Sequence, residues 1–238
     1  HPEVLLSQTQ LEHYQAFITQ RAEGIPLAYL TGTREFWSLS LEVNPHTLIP
    51  RHETELLVEL ALELIPNKPH MQVLDLGTGS GAIALALAKE RPHWHIDACD
   101  YSADALIMAQ INAKNNNLRN LSFYQSDWFN QLKPKGYHAL ISNPPYLAAD
   151  DPHLKQGDLP FEPLSALVSG QDGLADLQYL IEEATNWLVP EGLLLLEHGF
   201  KQKAHLQAIL KRSGYKNIQC WQDLQGHDRV SGGWRSDK

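Results

Sequence analysis

The stretch that most constrains the fold is Met71-Gln72-Val73-Leu74-Asp75-Leu76, followed by Gly77-Thr78-Gly79-Ser80-Gly81 and a helical run from Ala82 to Glu90. The apolar run is short and almost continuous, as in a central parallel strand buried on both faces. The glycines let the chain turn from strand to helix and let a ligand approach the backbone at the positive helix end. Their spacing is Gly-x-Gly-x-Gly, not the dinucleotide pattern Gly-x-Gly-x-x-Gly. No Lys-Ser/Thr pair follows, so this is not a phosphate loop either.

The next elements fall into the same rhythm. A second strand, Trp94 to Asp100, ends on an acid. Asp100 stands about twenty residues beyond the glycine turn, where a carboxylate reaches the two hydroxyls of a ribose. Its alternative role is to cap the helix that starts near Ser102. That helix, Ala103 to Asn115, carries Leu106, Ala109 and Ala113 on its inner face. A third strand, Leu121 to Gln125, leads into Ser126-Asp127-Trp128. An acid and an aromatic there can border an adenine, although Trp128 taken singly reads as a core or surface aromatic.

The fourth strand, Tyr137 to Ser142, breaks into Asn143-Pro144-Pro145-Tyr146. Two prolines cannot donate to a ladder and hold the backbone extended. A polar amide is thereby fixed at the C-terminal edge of the sheet, the edge where open α/β sheets bind ligands. A long acidic loop follows from 147 to 173, and loops of that length in a compact domain are usually functional or disordered. A helix from Leu174 to Leu188, a fifth strand from Leu193 to Glu197, a helix from about Lys201 to Ser213, and strands Lys216 to Gln222 and Arg229 to Trp234 complete the chain. The last two read as an antiparallel hairpin at the sheet edge. With crossover helices in most gaps, the pattern predicts one doubly wound sheet.

Upstream of this unit, residues 8 to 22 place Leu11, Tyr14, Phe17 and Ile18 at helical spacing, stopped by Gly24 and Pro26. We expect a packing helix, the end of an N-terminal extension. Tyr29-Leu30-Thr31-Gly32, Glu35 to Leu39 and Leu41 to Val43 read as a β-hairpin covering the sheet and ending at Leu48-Ile49-Pro50. Arg51-His52-Glu53-Thr54-Glu55 then opens a helix to Leu64, and on composition alone Arg51 and Glu53 read as capping and surface charge.

Composition excludes several classes. The net charge of −9 argues against a non-specific grip on duplex nucleic acid. No apolar run is long enough to cross a membrane, and no secretory leader pattern stands at the start. Cys99 and Cys220 form neither a disulfide framework nor a metal motif, which points to a reducing, cytoplasmic setting. The twelve histidines include His93 and His95 on one strand face and His198 before a glycine, but none in a metal-binding spacing; no metal is expected. No Gly-x-Ser-x-Gly elbow occurs, so covalent acyl chemistry is disfavoured.

A ribose-binding acid, a glycine turn without a pyrophosphate signature and Asn143-Pro144-Pro145-Tyr146 at the end of strand four together resemble the class I S-adenosylmethionine-dependent methyltransferases. The tetrapeptide is that superfamily's signature for methyl transfer to a planar, conjugated nitrogen. Finer motifs resemble the HemK/PrmC family of protein-(glutamine-N5) methyltransferases acting on peptide-chain release factors. They are Gly24-x-Pro26-Leu27-Ala28-Tyr29-Leu30-Thr31-Gly32, Arg34-Glu35-Phe36-Trp37, Leu48-Ile49-Pro50-Arg51-x-Glu53-Thr54-Glu55, Glu162-Pro163-x-x-Ala166-Leu167 and Glu197-His198-Gly199-x-x-Gln202. The resemblance covers essentially the whole chain.

The resemblance implies a Rossmann-like seven-stranded α/β sheet with a C-terminal antiparallel hairpin, preceded by a β-hairpin and the remnant of an N-terminal helical domain. The expected divisions are 1–25 for the end of that helical domain, 26–52 for the linking hairpin and 53–238 for the catalytic domain. S-adenosylmethionine is the implied cofactor, held by Gly77, Thr78, Gly79, Ser80 and Gly81, by Asp100 at the ribose, by Asp127 and Trp128 at the adenine, and by Asn143. Asn143, Pro144, Pro145 and Tyr146 are implied to hold the glutamine amide, with Asn143, Pro144 and Tyr146 carrying the catalysis. Arg51, Glu53, Phe161 and Glu162 are implied as pocket walls. The implied partner is a class I release factor, methylated at the glutamine of its Gly-Gly-Gln loop by a monomer acting without nucleic acid. Alternatives are a ribosomal-protein glutamine, an adenine of DNA or RNA, and a non-catalytic adenosylmethionine-binding module.

Overall fold

A computed structural model describes residues 5–236 of the chain. The N-terminal helix α1 spans Gln8–Ala22, and Ser7 caps it with a reciprocal capping box to Gln10. The short helix α2 (Leu27–Thr31) ends on Gly32 in the left-handed conformation. A small antiparallel sheet follows, β1 (Thr33–Phe36) and β2 (Leu39–Glu42). A 3₁₀ turn at His52–Thr54 runs into α3 (Glu55–Leu64).

The main unit then alternates. It comprises β3 (Gln72–Leu76), α4 (Ala82–Glu90), β4 (His95–Asp100), α5 (Ala103–Asn115), β5 (Leu121–Gln125) and β6 (Tyr137–Ser142). After the long loop come α6 (Ala175–Ala184), β7 (Leu188–Glu197), α7 (Lys203–Arg212), β8 (Tyr215–Gln222) and β9 (Asp228–Arg235). The seven strands of the large sheet lie in the order β5-β4-β3-β6-β7-β9-β8. β9 runs antiparallel to both β7 and β8, and the other pairs are parallel.

Alternate residues of each strand face opposite layers. Val73, Ile96, Ala98, Ile141 and Leu195 pack under α3, α4 and the small hairpin. Leu74, Leu76, Leu140, Leu194 and Leu196 pack under α6 and α7. The near-continuous apolar strand runs follow from this two-sided burial.

Four local expectations are corrected. Tyr29, Leu30 and Thr31 are helical rather than extended, because Pro26 starts a turn that Gly32 stops. The predicted helix to Leu188 ends at Ala184, and β7 already starts at Leu188. Pro190 and Gly192 do not end it, because a register shift in the β6–β7 pairing and a left-handed Glu191 accommodate them. The apolar positions of α1 are not packed: Tyr14 and Ile18 are 57% and 53% exposed, and no residue of that helix is buried. His93 lies outside β4 and bonds Asn67 at 2.8 Å, so it shares no strand face with His95.

The β1–β2 turn is made by Trp37 and Ser38, both at positive φ, without the Asn-Gly pair such turns favour. Tertiary bonds hold it instead. The Trp37 N–H donates to Glu55 at 2.9 Å, its indole N–H donates to Glu90 at 3.0 Å, and Lys89 donates to the Ser38 carbonyl at 3.3 Å. The hairpin is thereby fastened across α3 and α4.

Candidate active site

In this topology the chain leaves β3 toward β4 on one side and returns through β6 on the other. The crevice between the carboxyl ends of β3 and β6 is the point where open sheets bind ligands. Leu76 and Ser142 pair in register, and the Ser142 hydroxyl donates to the Leu76 carbonyl at 2.6 Å. The glycine turn and Asn143 therefore emerge side by side. A cavity of about 330 Å³ opens there, lined by Gly77, Gly79, Asp100, Asp127, Trp128, Asn143 and Pro145. His46, Thr47, Leu48, Ser165, Ala166 and Asp176 are also part of its wall.

Three glycines shape one side of the cavity. Gly77, Gly79 and Gly81 all have positive φ. A Cβ on Gly79 would meet nothing within 4 Å, so its backbone faces open space. A Cβ on Gly81 would come within 2.5 Å of Leu85 Cδ1; this glycine serves the entry into α4. Thr78 and Ser80 are buried below the turn. The Thr78 hydroxyl donates to Asp75 Oδ2 at 2.6 Å, and the Ser80 carbonyl accepts from Asn112. Asp75 is wholly buried, and burial raises its carboxyl to about 7 against the hydrogen bonds from Thr78 and Ala84. Neither Thr78 nor Ser80 lines the cavity.

Asp100 joins two backbone segments. Its Oδ2 accepts from Gly79 N–H at 2.8 Å and its Oδ1 from Ser102 N–H at 2.9 Å. The helix cap itself is the Ser102 hydroxyl. Burial raises the Asp100 carboxyl while these backbone N–H groups oppose the rise. Asp100 lines the cavity, and a carboxylate has acceptor capacity beyond these two bonds, which is what a vicinal diol requires. Trp128, at φ +49°, packs over Gly77, where an added Cβ would meet its ring at 3.3 Å. Its indole N–H donates to Asp176 Oδ1 at 3.0 Å. Asp176 was not singled out from sequence; it lies in the first turn of α6, 48 positions away, and only the fold brings it here.

Asn143 is held from inside. Its Nδ2 donates to Thr54 Oγ1 at 3.1 Å, and Thr54 Oγ1 donates to Glu197 Oε2 at 2.7 Å. Tyr146 donates its hydroxyl to the other carboxylate oxygen, Glu197 Oε1, at 3.2 Å. Burial and the neighbouring Glu197 charge push the Tyr146 hydroxyl up, so it stays a donor. Gln202 Nε2 bonds the carbonyls of Tyr146 and Gly173 at 3.0 and 3.1 Å and ties the tetrapeptide to the end of the long loop.

The remaining expected wall residues lie elsewhere. Arg51 Nη2 and Glu162 Oε2 form an ion pair at 2.6 Å, with the Glu162 side chain fully buried. They clasp the end of the hairpin segment to the loop and do not line the cavity. Phe161 packs against Gly24, where a Cβ would meet its ring at 3.1 Å. Glu53 faces Glu197 electrostatically and is also outside the cavity wall. Of the tetrapeptide, Asn143 and Pro145 line this volume, and Pro144 and Tyr146 are their chain neighbours just outside that wall.

The long loop is ordered by short 3₁₀ turns at Pro152–Lys155, Leu159–Phe161 and Leu164–Ala166. Ser165 and Ala166 bring it over the cavity. Among the described residues, no group of three His, Cys, Asp or Glu is arranged to hold a metal ion, and no helix is long and apolar enough to cross a membrane.

This architecture is that of the class I methyltransferases. Residues 53–157 match the family model of the methyltransferase small domain. Among solved structures, a methyltransferase from Pyrococcus furiosus superposes with a TM-score of 0.62 at 18% identity, over 94% of this chain and 98% of that one. The 16S rRNA N2 G1207 methyltransferase of T. thermophilus gives 0.63 at 17% identity, over 85% of this chain and 49% of that one.

The sequence narrows the class. Residues 1–32 match the PrmC N-terminal domain. The release factor glutamine methyltransferase of Coxiella burnetii is 46% identical over 97% of this chain and 82% of its own length. That of Salmonella typhimurium is 48% identical over 97% and 83%, and that of Escherichia coli 47% over 96% and 82%. The chain belongs to the release factor glutamine methyltransferase family.

Proposed function

We propose that this chain transfers a methyl group from S-adenosylmethionine to the side-chain amide nitrogen of a release-factor glutamine, the one in the Gly-Gly-Gln loop of class I release factors. The observation that carries this reading is one cavity lined by Gly77, Gly79 and Asp100 on one side and by Asn143 and Pro145 on the other. The fit to the cofactor rests on the open approach at Gly79 and the two acceptor oxygens of Asp100. Gly77 and Gly79 would take its methionine part, Asp100 its ribose, and Asp127 and Trp128 its adenine. When bound, the cofactor supplies an electrophilic sulfonium methyl.

The chain's own part is orientation. An amide nitrogen is a poor nucleophile because its lone pair is delocalised. Asn143 Oδ1 accepts one N–H and the Pro144 carbonyl accepts the other, which holds the nitrogen's face toward the methyl and favours the more tetrahedral, positively polarised transition state. The Tyr146 ring, held from its hydroxyl end, backs the amide plane. The leaving thioether is neutral, so no strong base is required and the proton passes to water.

In this reading residues 1–25 belong to an N-terminal helical unit, 26–52 link it, and 53–238 carry the transfer. The enzyme acts as a cytoplasmic monomer and does not bind nucleic acid directly. A ribosomal-protein glutamine would suit the same amide site, but the family relatives favour the release factor.

The test incubates the chain with methyl-labelled S-adenosylmethionine and, in separate arms, a release factor, a ribosomal protein and DNA. Label enters the release factor and is lost when its glutamine is replaced. Label in DNA alone overturns the reading. Asn143→Ala abolishes transfer while cofactor binding persists.

A further inference from the structure

The family motifs around Thr54 and Glu197 have no part in the transfer as derived so far, yet both residues are buried directly behind Asn143. β6 and β7 pair Ser142 with Leu196, so Asn143 and Glu197 are the next residues out on neighbouring strands. Thr54 reaches between them from the 3₁₀ turn. The hydroxyl has one proton. Given to Glu197 Oε2 at 2.7 Å, it leaves Thr54 Oγ1 an acceptor toward Asn143, which can only be met by the Nδ2 end of the amide. The Tyr146 hydroxyl occupies the second carboxylate oxygen.

We propose that Glu197 and Thr54 are positioning residues for the methyl acceptor: the ionised carboxylate fixes the direction of the chain Asn143→Thr54→Glu197 and so presents Asn143 Oδ1, not Nδ2, to the cavity. A proton on Glu197 removes that constraint. The carboxylic acid can donate to Thr54, the Thr54 hydroxyl can turn to Asn143, and the amide then satisfies it by exposing its NH₂ to a substrate amide that also needs an acceptor. One proton thus reverses two hydrogen bonds and leaves the site with the wrong polarity. No bond other than these changes, and the cofactor side of the cavity is untouched.

The groups facing Glu197 set where this happens. Burial raises its carboxyl to about 7, against the Thr54 hydroxyl, the Arg229 guanidinium and the Tyr146 hydroxyl, while Glu53 adds to the rise. Arg229 is itself shared with Asp223 at 3.1 Å, which weakens its hold on Glu197. His198, the next residue, is kept neutral by burial and bonds Ser231 at 2.8 Å on its other side.

This inference rests on the transfer reading above, and its test separates the two. Methyl transfer to a purified release factor is followed at saturating S-adenosylmethionine from about pH 5.5 to 9, with cofactor affinity measured by calorimetry. Wild-type kcat falls on the acid side with a midpoint near 7, following the Glu197 titration. Asp75 also titrates near 7, but it lies under the cofactor turn and its effect goes to cofactor binding, which saturation removes.

T54V lowers kcat on the order of 10²-fold, as expected for a misoriented reacting group, with cofactor Kd unchanged, and T54S restores most of the rate. E197Q turns at a lower rate that is flat across the acid range. An acid limb that survives in E197Q, or a T54V enzyme with wild-type kcat, overturns the proposal. If T54V does not fold, the pH profile of E197Q decides alone. A wild-type chain that labels no release factor defeats the transfer reading itself, an outcome distinct from both.

Discussion

Leu76 and Ser142 sit opposite one another at the ends of β3 and β6, joined by a 2.6 Å bond from the Ser142 hydroxyl to the Leu76 carbonyl. This pairing sets the relative height of the glycine turn and Asn143, the two halves of the site. Ser142→Ala keeps the volume nearly constant and removes one buried donor. We expect a loss of about 1 kcal/mol in urea unfolding, with a smaller effect on cofactor affinity than on transfer rate, because the glycine turn keeps its own bond from Gly79 to Asp100.

Asp100 carries more of the cofactor's recognition. Asp100→Asn removes the charge and one acceptor oxygen while keeping the shape. The N–H of Gly79 or of Ser102 then loses its carboxylate partner, and the ribose meets an amide donor. The expected outcome is S-adenosylmethionine affinity weaker by about 10–100-fold, the scale of one or two charge-assisted bonds. Calorimetry checks it, and an unchanged Kd would mean the ribose is not held there.

Arg51 tests a clasp against a contact. Glu162 Oε1 accepts from the Ile49 N–H at 3.4 Å while its Oε2 takes Arg51, and its side chain has no access to solvent. Arg51→Ala strands that carboxylate. The expected cost is about 2–4 kcal/mol in unfolding free energy, near the lower part of the range for broken buried pairs because Arg51 itself keeps some solvent. Arg51→Ala with full stability but a raised KM for the protein acceptor would show that Arg51 touches substrate instead.

The parts of the site legible in the sequence are those fixed by residue type at a strand end. Glycines after β3, an acid ending β4 and a proline-stiffened amide ending β6 mark the carboxyl edge of a parallel sheet, and their order along the chain implies their neighbourhood. What stayed hidden depends on pairings across the fold. Thr54 bonds Asn143 from 89 positions away and Glu197 from 143 positions away, and no local pattern announces either contact. Arg51 and Glu162 were visible as charges, but that they neutralise each other is a property of the loop's path. The Trp37-Ser38 turn hid for the same reason, since bonds from Glu55 and Glu90 hold a conformation its own residues disfavour.

Two of the buried carboxyls, Asp75 and Glu197, also predict how stability varies with pH. Burial raises Asp75 and Glu197 to about 7 each, above the ordinary carboxyl range of an unfolded chain. Between that range and 7 the folded protein binds a proton that the unfolded chain has released, so unfolding free energy falls as pH rises. Their contribution is full below the unfolded values and is lost as pH rises through about 7. Asp223 acts with the opposite sign: bonds from His227, Gln225 and Arg229 outweigh its burial and lower its carboxyl, giving stability that is lost as pH falls. Glu197→Gln removes one raised group and leaves Asp223 alone. The stability of this variant relative to wild type should therefore climb from pH 5 to pH 8, with a slope bounded by about 1.4 kcal/mol per pH unit for one proton. Urea unfolding at several pH values reads that slope directly. A difference between the two proteins that stays constant with pH would show that Glu197 is already ionised throughout the range, and would place the acid limb of the transfer reaction, if one is found, on another group.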